Sequence, residues 1–248
     1  MNSRNDLVVR SVSIDWDAVE EDSYVRSIPA LANLSYLPFS KPVTFFSGEN
    51  GSGKSTLLEA IAAAYGFSPE GGTRNYRFST RDSHSSLYQA IRFSRSPGKS
   101  KWGYFLRAES FYNVASMDEI YARGPGGVDH HYHEKSHGES FLALVQDNFR
   151  PAGFYLLDEP EAALSPQRQL SLLIELAECA LEGAQFIIAT HSPILLALPD
   201  SEIKSFDDGE IHTVDYEETD SYRITSQFLS NRKRFLKELL GEHWPGLE

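Results

Sequence analysis

An α/β fold with a mainly parallel sheet flanked by helices is what the sequence predicts, on three observations. Short strand-like runs recur at Pro42–Phe46 (PVTFF), Gly103–Ala108, Gly153–Leu157 (GFYLL) and Gln185–Thr190 (QFIIAT). Two of them, GFYLL and QFIIAT, are apolar almost throughout rather than alternating, the pattern of strands buried on both faces. Segments rich in helix formers separate them, TLLEAIAAAY at 56–65 and LLIELAECAL at 172–181. Strands alternating with helices imply parallel pairing.

Taken in order, PVTFF runs into a glycine-rich turn and then a helix from Thr56. The stretch from Gly71 to Lys101 is dense in Ser, Arg and Gly and reads as loop, with a short helix around Ser86 to Phe93. Glu139 starts a helix (FLALVQDNF). Ser165-Pro166 is an N-cap followed by proline at the first helical position, and that helix should stop at Gly183. Ile203 to Asp215 reads as a hairpin turning at Asp208-Gly209, and Thr225 to Leu240 as one amphipathic terminal helix.

The 248 residues are enough for one large α/β domain with a substantial core. With 41% hydrophobic and 23% charged residues, the composition excludes a disordered or collagen-like chain. The longest apolar run, Ala60 to Phe67, falls far short of the roughly 20 residues that cross a bilayer. The first residues, MNSRNDLVVRS, lack the apolar core of a secretory signal, and the one cysteine excludes an intramolecular disulfide. The expected location is therefore cytoplasmic. Net charge is −12 but uneven: residues 1–124 hold 14 Lys/Arg and 13 Asp/Glu, against 9 and 22 in the remainder. Arg74, Arg77, Arg81, Arg92, Arg95, Lys99, Lys101 and Arg107 have only Asp82 among them as a counter-charge. This stretch is a candidate DNA or RNA contact, the plainer alternative being a solvated face.

Chemistry concentrates in three places. Gly48-Glu49-Asn50-Gly51-Ser52-Gly53-Lys54-Ser55 matches G-x-x-x-x-G-K-[ST] between a strand and a helix. Such a loop turns backbone N–H groups toward phosphates, a lysine reaches the β and γ phosphates, and the Ser55 hydroxyl suits Mg²⁺. The apolar strand FYLL ends in Asp158-Glu159. Asp158 is the candidate metal carboxylate and Glu159 the group that polarises attacking water, with Glu161 nearby. A second apolar strand ends in Thr190-His191-Ser192, where His191 could donate to a γ phosphate.

Together GENGSGKST (Gly48 to Thr56), LLDEPEAALS (Leu156 to Ser165) and ATHSP (Ala189 to Pro193) resemble the ATP-binding cassette class of P-loop NTPases, in its soluble branch related to SMC, Rad50 and RecF heads. The resemblance implies ATP and Mg²⁺ as cofactors, with Gly48–Thr56 as Walker A, Asp158 as the Walker B aspartate, Glu159 as catalytic glutamate, Ala162–Ser165 as D-loop and His191 as switch histidine. It implies one ATPase domain over residues 1–248, with a small antiparallel β portion and a helical subregion at about 110–150. Ser136 and Gly138 are what remains of the class signature, Lys135, His137 and Glu139 replacing its other residues, and Glu109 stands where the class has its glutamine, near the metal or water. Trp16, Tyr24 and Tyr36 are the aromatics available to stack on adenine. His130, His131, His133 and His137 lack the pattern of a zinc site and read as a polar loop.

If the signature works in trans, ATP is sandwiched between two copies, and the resemblance implies an ATP-dependent homodimer that acts as a switch on a macromolecule. The alternatives are the ATP-binding subunit of a membrane transporter and a regulatory module that binds ATP with little turnover. DEPE in place of DEPT and ATHSP in place of Thr-His-Asp weigh against the first, and retention of Glu159 and His191 against the second.

Overall fold

The computed structural model describes residues 7–69, 71–73, 86–97, 102–108, 137–241 and 244. Ten strands form two sheets among these residues. The larger sheet is built from β3 (Val43–Ser47), β4 (Gly72–Thr73), β6 (Gly103–Arg107), β7 (Phe154–Asp158), β8 (Gln185–Ala189), β9 (Glu202–Ser205) and β10 (His212–Val214). Its order is β10-β9-β3-β8-β7-β6-β4. The central pairs are parallel, whereas β10 and β4 at the edges pair antiparallel. The predicted mainly parallel α/β sheet is therefore present. A smaller antiparallel sheet of order β2-β1-β5 comprises β1 (Val9–Ile14), β2 (Tyr36–Pro38) and β5 (Ile91–Arg95).

Alternate residues of the central strands feed two cores, one on each face. Phe46, Phe105, Phe154, Leu156, Ile187 and Ala189 join β1, β5 and helix α1 (Lys54–Tyr65) in one core. Phe45, Tyr104, Tyr155, Leu157, Phe186 and Ile188 join α2 (His137–Asn148) and α3 (Pro166–Leu181) in the other. That double burial is why GFYLL and QFIIAT carry no polar alternation. The two sheets are also tied by one side chain: Gln185 Oε1 accepts the Val9 N–H and its Nε2 donates to the Val9 carbonyl, both at 2.8 Å.

Several helix ends follow the sequence rules. Ser165 caps α3, its hydroxyl accepting the Arg168 N–H at 3.4 Å. Gly183, at φ +92, lies two residues past the helix end. The hairpin at 203–215 forms, with a 3-10 turn at Asp207–Gly209 between β9 and β10.

Two expectations are corrected. The helix around 86–93 is confined to Leu87–Ala90, and Ile91–Arg95 continues as β5, paired with β1. The alternation in IRFSR is the period of a half-buried strand. The terminal helix is two helices, α4 (Asp220–Ser230) and α5 (Arg232–Leu240), separated at Asn231 with φ −133 and ψ 38. Ser and Asn are both residue types that favour caps and turns over helix interiors, and the break falls at Ser230-Asn231. Among the described residues, no helix is long and apolar enough to cross a membrane.

Candidate functional site

The strand order determines which loops meet. β8 lies between β3 and β7, so the carboxyl ends of these three strands deliver the 48–53 loop, Asp158-Glu159 and Thr190-His191 to one edge of the sheet. Ligands of open α/β sheets bind at such carboxyl ends.

The loop after β3 depends on glycine. Gly53 adopts φ +105 just before α1, and a Cβ there would come within 2.8 Å of Ile28 Cγ2, so both backbone and space demand it. Lys54 is buried and folds back over the loop, donating to the carbonyls of Gly48 at 2.6 Å and Glu49 at 2.9 Å. Burial holds its ammonium below the usual lysine range, partly offset by Glu159, Asp207 and Asp158. A buried cation inside a turn of backbone N–H groups is a receptor for an anion. Asp207, from the β9–β10 turn, braces the loop by accepting the Glu49 N–H at 2.9 Å.

Ser55 Oγ donates to Asp158 Oδ1 at 2.8 Å, bringing together two oxygens 103 residues apart. The pair suits a hard divalent cation: octahedral ligands of Mg²⁺ at about 2.0–2.1 Å are about 2.9 Å apart along an edge. The other Asp158 oxygen faces Arg107 Nε at 3.5 Å, and Arg107 also binds Glu59 of α1 at 2.7 Å. In the β6–β7 register Arg107 lies directly opposite Asp158. Among the described residues no cluster of three or more His, Cys, Asp or Glu forms a metal site by itself.

Glu159 is held at φ 49, ψ 50, and its N–H donates to Ala189 O at 2.9 Å. Left-handed backbone is uncommon for a residue with a side chain and concentrates at functional turns. His191 lines a small groove of about 180 Å³ with Ser47, Gly48, Glu49, Asp207 and Ile224. Its backbone N–H donates to Glu161 Oε1 at 2.6 Å, and its ring Nε2 is buried without a partner among the described residues. Glu161, expected among the acids around the metal, thus has one oxygen on the His191 amide. Two larger hollows, about 430 and 470 Å³, lie around Asp200 and contain none of the motif residues.

The sequence-derived candidates distribute as follows. Gly48–Thr56, Asp158, Glu159 and His191 come together at this edge. Gly138 lies in the first turn of α2, where a Cβ would meet Arg168 Cδ at 2.8 Å and Ala163 O at 3.1 Å. It thus packs against the segment after Glu159. Glu109, Ser136, His130, His131 and His133 lie outside the described residues. Trp16 Nε1 is bonded to Leu34 O, while Tyr24 and Tyr36 are exposed.

The Arg-rich stretch is corrected in part. Arg107 is enclosed by Glu59 and Asp158, Arg92 pairs with Asp15, and Arg95 stacks over Tyr65 and Phe93. The counter-charges come from remote parts of the chain, which counting along the sequence could not show. Arg74, Arg77, Arg81, Lys99 and Lys101 are outside the described residues. Sequence reasoning also missed Asp207, and gave Arg107 only a surface role.

Comparison with known proteins accords with the site. Residues 23–123 match the family model "AAA domain", and residues 140–197 match "AAA domain, putative AbiEii toxin, Type IV TA system". The chain is 31% identical over 181 residues to the cytochrome c biogenesis ATP-binding export protein CcmA of Rhizobium etli, covering 65% of this chain and 81% of that protein. It is 29% identical over 195 residues to an ABC transporter ATP-binding protein of Caldanaerobacter subterraneus, covering 68% and 77%. Among solved structures, the SMC head domain from Thermotoga maritima aligns with TM-score 0.47 at 18% identity over 84% of this chain and 98% of that one. The cbiO1 structure from Clostridium perfringens aligns with TM-score 0.46 at 18% identity over 83% and 91%. A match of this identity across four-fifths of a relative makes the chain a member of the ATP-binding cassette class of P-loop ATPases, which bind and hydrolyse ATP.

Proposed function

We propose that this ATPase is a Mg²⁺-dependent molecular switch in which ATP joins two copies head to tail and hydrolysis releases them, the dimer acting on a macromolecular partner. The observation that carries the reading is the 2.8 Å meeting of Ser55 and Asp158 beside Glu159 and His191. Residues Gly48–Thr56 wrap the phosphates, and Lys54 exchanges its contacts with the Gly48 and Glu49 carbonyls for phosphate oxygens. Ser55 and Asp158 would hold Mg²⁺, which when bound neutralises phosphate charge. Glu159 accepts a proton from the attacking water, and His191 donates to the γ phosphate. Ser136 and Gly138 face the partner's nucleotide, and Glu109 approaches the metal. Residues 1–248 act as one ATPase domain, its helical subregion at about 110–150.

The decisive test is Glu159→Gln, which preserves shape and removes the base. It should accumulate an ATP-bound dimer on a sizing column, and a variant that stays monomeric with ATP and Mg²⁺ refutes the sandwich. DNA or RNA, through the Arg74–Arg107 region, is the partner class to test first, by its effect on ATPase rate. A second reading, the ATP-binding subunit of a membrane transporter in the cytoplasm, draws support from the names of the two relatives. Turnover indifferent to every nucleic acid would favour it.

A further inference from the structure

We infer that Glu161 is a positioning residue for His191, tying the turn that carries the catalytic glutamate to the switch histidine through one carboxylate oxygen. The inference rests on the reading that His191 acts at the γ phosphate. Past the end of β8 the chain leaves the ladder, and each backbone N–H needs a partner of its own. Thr190 N–H is taken by Phe46 O of β3 at 3.1 Å, and Ser192 N–H by Thr190 Oγ1 at 3.0 Å. Between them, His191 N–H has the Glu161 carboxylate at 2.6 Å, a charge-assisted bond of the stronger kind.

Glu161 is itself held. It lies in the 3-10 turn Pro160–Ala163 that begins directly after Glu159, and its carbonyl accepts the Leu164 N–H at 3.0 Å. The turn is fixed at its start by Glu159 N–H on Ala189 O, again at the end of β8. The turn that starts at Glu159 and the chain at the end of β8 are therefore joined twice, by the Glu159–Ala189 backbone bond and by the Glu161 side chain on the His191 amide. Thr190 is fully buried and Ser192 is anchored through its hydroxyl to Gln169 at 2.6 Å, so the Glu161 bond is what sets the residue between them. A threonine at this position, as in DEPT, carries its oxygen two carbons nearer the backbone and is uncharged. The DEPE departure thus supplies a longer acid that reaches the histidine amide.

The test compares Glu161→Ala and Glu161→Gln, alone and with His191→Ala. Gln keeps an oxygen acceptor, so Glu161→Gln should turn over ATP within about 3-fold of wild type. Glu161→Ala should lose about 10- to 100-fold in kcat, the scale of a misplacement near 1 Å, with affinity for a fluorescent ATP analogue unchanged. In the His191→Ala background, Glu161→Ala should cost nothing further, the non-additivity of residues that act as a unit. Hydrogen exchange of the peptide containing His191 should quicken in Glu161→Ala and not in Glu161→Gln. A loss from Glu161→Ala that persists undiminished in the His191→Ala background overturns the proposal, as does unchanged exchange. An inactive His191→Ala beside an active Glu161→Ala overturns the proposal alone. Full activity of His191→Ala overturns the reading of His191 and the proposal with it.

Discussion

Removing Arg107 should weaken the protein through its site rather than through its core. The Arg107 side chain is 19% exposed, its guanidinium lying 2.7 Å from Glu59 and 3.5 Å from Asp158, whose side chains are 20% and 7% exposed. Breaking a buried ion pair from one side costs about 3–5 kcal/mol, because a carboxylate is left without its counter-charge. Here a fifth of the Arg107 and Glu59 side chains remains in contact with water, so Arg107→Ala should fall near about 2–3 kcal/mol. At about 2–4 °C per kcal/mol for a chain of this size, that is a fall of about 4–12 °C in Tm. Urea unfolding without nucleotide measures the free energy, and the Glu59→Gln single and double variants complete a cycle isolating the Arg107–Glu59 coupling. A destabilisation under about 0.5 kcal/mol would place Arg107 with ordinary surface residues and refute the reasoning.

Lys54→Ala should lower affinity for a fluorescent ATP analogue by about 100-fold or more, given about 1.5–3 kcal/mol for each lost charge-assisted contact, measured by titration at constant Mg²⁺. Gln185→Leu leaves the Val9 N–H and carbonyl buried without their partner, and urea unfolding should show a loss of about 2–4 kcal/mol. Burial, with Glu182 and Glu175 adding to it, pushes the Cys179 thiol up to about 12. The unfolded chain therefore ionises first, stability attributable to this group is lost as pH rises from about 9 toward 12, and native protein should resist thiol reagents at pH 8 until urea is added.

What could be read from the sequence was what lies contiguous along it. The 48–55 loop, the apolar strand before Asp158 and the cap at Ser165 are each complete within a few residues, so their meaning survives without a structure. Parallel pairing followed from the same logic, because burial on both faces writes itself into GFYLL and QFIIAT. The contacts that shape the site are of another kind. Arg107 meets a residue 48 positions away, Asp207 braces a loop 158 positions away, and Glu161 reaches an amide 30 positions on. A charge count along the chain therefore treated Arg107 as unpaired. The split between α4 and α5 and the strand at Ile91–Arg95 were legible in principle, in Ser230-Asn231 and in the alternation of IRFSR, but weak local signals gave way to a stronger helical pattern nearby.

The pair of hydrogen bonds between Gln185 and Val9 has a mechanical consequence. The small antiparallel sheet and the large parallel sheet share no strand, yet this amide mimics the pairing of a neighbouring strand, donating and accepting at a single residue. Sliding one sheet past the other by a single residue would break both bonds at once in a buried place, where neither has water to replace it. The register between the two sheets is therefore pinned at Val9 and Gln185, with α1 packed in the core that they share.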